Sequence, residues 1–223
     1  MDLTRNRTTL IILLYIFGMF LLPYISNTVL ISLFKLDNLY LITVLANLIS
    51  YVFLLIMVIL LFKKDLIADF KRIPSLKHFA SRVCFGEGLV YLALVISNLL
   101  LVFVFHQTDS SINQKMIEEI MVLYPVLMAS TTMFFAPVIE EVIFRFSLIA
   151  NSPLKPYLSL LLSSVLFGAI HVLGGGDYIQ IIPYFMMGLA IGFVYQRYQN
   201  IWYPIGVHCL QNTISTLAIL FLL

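Results

Sequence analysis

Seven long runs of almost unbroken apolar side chains dominate this sequence, at roughly 9–33, 39–62, 83–105, 121–150, 157–173, 179–197 and 201–222. Nothing else constrains the fold as strongly. A helix needs about 20 mostly apolar residues to cross the hydrocarbon of a bilayer. Strands of a membrane barrel would alternate in polarity over about ten residues, and these runs do not alternate. The expected fold is all-α, a polytopic membrane bundle of about seven transmembrane helices. Composition points the same way: 61% of the 223 residues are hydrophobic and 11% are charged. Soluble domains carry about 45–50% and about 25%. So few polar side chains could not cover a water-exposed surface.

The charges sit in the joints. Residues 63–82 hold Lys63, Lys64, Lys71, Arg72, Lys77 and Arg82. With the N-terminus inside, these share one side with Arg5, Arg7, Lys155 and Arg197, while Lys35 and Lys115 lie outside. Basic residues gather on the cytoplasmic side of membrane proteins, so the expected topology has a cytoplasmic N-terminus and an external C-terminus. The run that follows Arg5 and Arg7 continues past Pro23 without a small-residue cleavage site, and reads as a retained helix. Residues 107–119 are acidic and amphipathic, a helix on the membrane surface or an extension of the fourth span. Tyrosines and Trp202 near span ends read as interface anchors. A net charge of +2 with no basic stripe argues against nucleic acid. Cys84 and Cys209 lie in apolar runs without C-x-x-C spacing, which favours neither a disulfide nor a thiol catalyst. Abundant Ile and Leu with few Gly and Ala suit a low-GC bacterium.

The informative residues are polar ones inside apolar runs. A charge near the bilayer centre costs at least about 2.5–3.5 kcal/mol and generally faces a cavity with a role. The fourth run carries three: Glu140, Glu141 and Arg145. Glu141 and Arg145 are four apart and can pair on one helix face, which offsets the burial of both. Glu140 points about 100° away and has no cation at that spacing, which leaves it available as a proton acceptor. The fifth run adds His171, and the seventh adds His208 and Asn212 on one face. At about 1.5 Å per residue, Glu140, His208 and His171 lie about 15, 10 and 21 Å from the inner ends of their runs. They can meet if helices tilt or break, and Pro137 and Pro204 offer places to break. Glu87, near the start of the third run, reads as an interfacial residue. Asn47 and Asn98 read as interhelical hydrogen-bonding groups, and Gly188 and Gly192 as sites of close helix packing.

Taken in order, Glu140-Glu141-x-x-x-Arg145, Phe167-x-x-x-His171 and His208-x-x-x-Asn212 resemble the three motifs of the CPBP family. That family holds the type II CAAX prenyl endopeptidases and the bacterial Abi, or bacteriocin-immunity, proteins. The resemblance divides the chain into N-terminal transmembrane helices with a cytoplasmic basic loop (1–117) and a catalytic helix core (118–223). It implies an intramembrane endopeptidase. Glu140 would be the general base on a water shared with His171. His208 and Asn212 would be oxyanion donors, and Glu141, Arg145 and Phe167 would support them. A metal-free mechanism is preferred because the helical His-Glu-x-x-His signature is missing. Zinc on Glu140, His171 and His208 is the rival. The expected partners are the bilayer and a peptide or membrane-protein substrate. A bacteriocin-immunity or scaffold protein without proteolysis is the alternative. A transporter is disfavoured because no inverted repeat is visible.

Overall fold

The computed structural model describes residues 3–222, with side chains over 6–221. Among these residues every regular element is helical. Helix α1 runs from Leu3–Ile16 through a π-helical segment, Phe17–Leu21, into Leu22–Ser32. Helices α2 (Leu39–Lys71) and α3 (Leu76–Phe103) follow, then α4 (Ile112–Leu123). Helix α5 spans 125–150 as a continuous but irregular path: Pro125–Ser130, a π segment Thr131–Phe135, Ala136–Glu141, and a second π segment Val142–Ala150. The chain ends with α6 (Pro156–Val172), α7 (Ile181–Tyr198) and α8 (Trp202–Leu222).

Helix starts follow local chemistry. Asn38, Ser75 and Ser111 each turn a side-chain oxygen onto the backbone N–H three residues ahead, at 2.9–3.1 Å. This satisfies one of the four donors that a helix N-terminus leaves free. Helix α7 stops at Gln199, whose φ of 48° places it in the left-handed region.

By length and continuous apolarity, five helices can cross a membrane, where about seven were expected: 6–32 within α1, α2, α3, 178–198 and α8. The other two predicted runs differ for stated reasons. Helix α6 has 17 residues, about 25 Å at 1.5 Å per residue, short of the roughly 30 Å of hydrocarbon. The fourth run is divided by its two π segments, and Tyr124 (φ −135°) and Pro125 separate it from α4. Residues 112–123 are therefore a helix of their own, not an extension of the fourth. Large apolar side chains such as Leu60, Phe103 and Leu13 stand outward and exposed. Such a surface suits lipid and no aqueous solvent. The protein is a multi-pass helical membrane protein.

The core draws on both halves of the sequence. Ile11, Leu54, Phe62, Val83 and Val90 pack in one cluster with Ile139, Phe144, Phe167, Ile191 and Val207. One end of the bundle collects basic joints. Asp69 accepts from the Ile201 N–H at 2.9 Å, its backbone carbonyl accepts from Asn200 Nδ2, and Arg72 donates to the Gln199 carbonyl at 2.5 Å. Arg7 pairs with Asp65 at 2.9 Å near the same end. The opposite end joins residues 109–113 to the α6–α7 connection. The cysteines are free.

Close approach of α3, α7 and α8 depends on Gly86. A Cβ there would collide with Val207 and sit 3.0 Å from Val194, both β-branched and stiff. Gly86→Ile is expected to lower stability by about 1–3 kcal/mol, the usual range for overpacking. The check is thermal unfolding of the detergent-solubilised protein against wild type.

Candidate active site

The site begins with a segment of six residues. Ala136–Glu141 lies between the two π segments of α5. Each π segment adds residues to the helical turn, and so re-aims the side chains beyond it. The break anticipated at Pro137 is thus present as a π segment just before it. Pro204 lies in the first turn of α8 and interrupts nothing, as expected where a missing N–H has no partner to lose.

Glu141 is completely buried and faces two partners. Its Oε2 lies 3.1 Å from Arg145 Nε, four residues on, and Arg145 is equally inaccessible. Its Oε1 lies 2.8 Å from Nδ1 of His208 on α8. A carboxylate can only accept, so His208 donates through Nδ1–H and turns Nε2 toward Glu140, whose Oε2 is 3.9 Å away. Arg145 is held in turn by the Phe167 ring, 4.6 Å below its guanidinium, and by the Gly188 carbonyl, 3.4 Å from Nη2. Gly188 permits this approach: a Cβ on it would stand 3.1 Å from the Ser164 Cα. Glu141 and Arg145, expected to hold the fourth helix in place, also orient the ring of His208.

Glu140, His171, Phe167, His208 and Asn212 all line one cavity of about 650 Å³. The structure therefore brings these residues of α5, α6 and α8 to one cavity. Glu140 is buried, and its Oε2 has no hydrogen-bond partner among the described residues. His171 Nδ1 donates to the Phe167 carbonyl at 2.7 Å, which leaves Nε2 unprotonated in the neutral ring. Asn212 spends one amide hydrogen on the Thr132 carbonyl at 2.8 Å and keeps a second. Thr132 is in the first π segment, where i→i−4 bonding lapses and carbonyls become available.

Three sequence readings change. Glu87, read as interfacial, is buried in the protein, and among the described residues neither carboxyl oxygen has a hydrogen-bond partner. Its helix is pressed against α8 at Gly86, which draws it inward. Asn47 and Asn98 make no interhelical hydrogen bond among the described residues and line the cavity. Tyr184, grouped with the interface anchors, instead stacks on His171 with ring centroids 4.4 Å apart and planes 18° apart. Its place one turn before Gly188, on the face that reaches Arg145, was the available signal.

A tetrahedral zinc would need Glu140, His171 and His208 donors each at about 2.0–2.2 Å from one ion. Among the described residues no three His, Cys, Asp or Glu side chains are so grouped.

Residues 122–214 match the family model of the type II CAAX prenyl endopeptidases, Rce1-like. All three motifs lie inside that segment, so the resemblance read from them is shown there. The chain is 32% identical over 113 residues to a Bacillus subtilis (strain 168) protein named "Putative membrane peptidase YdiL", covering 50% of this chain and 44% of that one. It is 25% identical over 165 residues to the UPF0177 protein YvdC of Lactococcus lactis subsp. lactis (strain IL1403), covering 72% and 59%. The chain thus spans less than two thirds of the length of these relatives. No solved structure matches it. These similarities support a membrane protease.

Arg145→Leu leaves the Glu141 charge buried without its cation. Breaking a buried pair from one side typically costs about 3–5 kcal/mol. The variant is expected to lose most of its folded yield in membranes, read by detergent extraction and size-exclusion profile.

Proposed function

We propose that the protein is an intramembrane endopeptidase that uses Glu140 as a metal-free general base. The observation that supports this most is Glu140 itself: a buried carboxyl oxygen without a hydrogen-bond partner among the described residues, in a cavity also lined by two histidines and an amide. Hydrolysis needs a proton acceptor, a water and donors aimed at the developing oxyanion. Glu140 takes a proton from the water as its oxygen attacks the scissile carbonyl. His171 accepts through Nε2 from the same water and aims it. The second amide hydrogen of Asn212 and Nε2 of His208 receive the oxyanion. Because Nδ1–H of His208 is committed to Glu141, Nε2 donates only when the ring carries both protons. Collapse of the tetrahedral intermediate breaks the C–N bond, and the proton held by Glu140 passes to the departing amine.

The substrate is a peptide or a membrane-bound precursor that binds in this cavity. Metal dependence, Abi-type immunity and a role independent of proteolysis are separate readings. The last of these requires function to survive loss of Glu140.

Glu140→Gln keeps the shape of the side chain and removes the base. Cells with this variant at matched expression are expected to lose a specific set of new membrane-proximal protein termini, a fall of about 10²–10⁴-fold. Unchanged termini with an unchanged phenotype would sink the catalytic reading. Protein purified in chelator is expected to keep that cleavage, and stoichiometric zinc restoring lost activity would reverse the preference for a metal-free base.

A further inference from the structure

The segment between α3 and α4 closes over the site. Residues 107–111 line the cavity, and four hydrogen bonds tie 109–113 to the α6–α7 connection and the first turn of α7. Gln180 Nε2 donates to the Asp109 carbonyl at 2.8 Å. The Ile112 N–H donates to Asp177 Oδ2 at 2.8 Å. The Tyr184 hydroxyl accepts from Asn113 Nδ2 at 3.2 Å and donates to Ser111 Oγ at 2.8 Å. Ser111 is also the N-cap of α4, accepting from the Gln114 N–H, so this anchor is itself fixed.

Tyr184 alone among these groups also touches a proposed catalytic side chain. Its ring lies flat on His171, whose other neighbour is the Phe167 ring at 4.8 Å. Stacking restricts how the imidazole tilts, and the bond to the Phe167 carbonyl sets which nitrogen is protonated. Neither contact anchors the tyrosine, whereas its hydroxyl bonds do.

We propose that Tyr184 is a positioning residue: the 109–113 segment holds its hydroxyl, and its ring holds His171 with Nε2 presented to the cavity. Closure of that segment and order at His171 are then one event. The role given to His171 rests on the peptidase reading, but the coupling does not.

The test uses the full chain in detergent micelles with ring-¹⁵N histidine. Four histidines give few signals, and His171→Asn assigns the one needed. Tyr184→Phe keeps the ring and removes its anchor. Ser111→Ala with Asn113→Ala removes the anchor and leaves Tyr184 intact. Both are expected to move the His171 signals to the same new positions and to cut Glu140-dependent cleavage in cells by about tenfold, the scale of a lost hydrogen bond. All three substitutions together are expected to do no more than either set, as groups acting through one contact do. His171 signals that stay at their wild-type positions in both variants would overturn the proposal, as would losses that simply add. Wild-type cells without Glu140-dependent termini would overturn the peptidase reading alone, and the His171 signals would still decide the coupling.

Discussion

Glu141 is the point on which the site turns. One oxygen meets Arg145 and the other meets His208, all three shielded from solvent. Through Arg145 the carboxylate is linked to Phe167 on α6 and to the Gly188 carbonyl on α7. Through His208 it is linked to α8. A single charge thus ties four helices. In hydrocarbon an unpaired charge is too costly to leave exposed, so these contacts persist together or fail together. That gives His208 a fixed protonated nitrogen and a fixed aim.

Of the helices that carry the site, α5 is the irregular one. The π segment Thr131–Phe135 releases the Thr132 carbonyl to Asn212, and the segment after Glu141 sets how α5 meets α6, where Ser163 bonds to the Phe144 carbonyl at 2.6 Å. Irregular backbone at membrane depth is tolerated where protein or a cavity satisfies it. Both conditions are met beside Glu140.

Much of this was legible beforehand. Hydropathy located the helices, and four-residue spacing anticipated the Glu141–Arg145 pair, because both signals are local and follow from helix geometry. Glu140, His171, His208 and Asn212 were legible as polar groups in apolar runs, Phe167 entered only through the family resemblance, and all five line one cavity. Glu87 was misplaced because its depth depends on how tightly α3 packs at Gly86. Asn47 and Asn98 were misread because a hydrogen-bond partner is a matter of distance, which no spacing along one helix reports. Tyr184 was overlooked because its two partners, Ser111 and Asn113, lie about 70 residues away in sequence.

By itself, then, the sequence determined the solvent, the helical class and the identity of the buried polar residues. A chain this apolar has no other stable solvent, and a helix is the way a single span satisfies its own backbone. Tertiary structure alone decided which ring nitrogen of His171 and of His208 donates to its partner, where α5 departs from regularity, and how the segment over the cavity reaches His171. Those outcomes depend on hydrogen-bond directions between helices, and such directions exist only once the helices have packed.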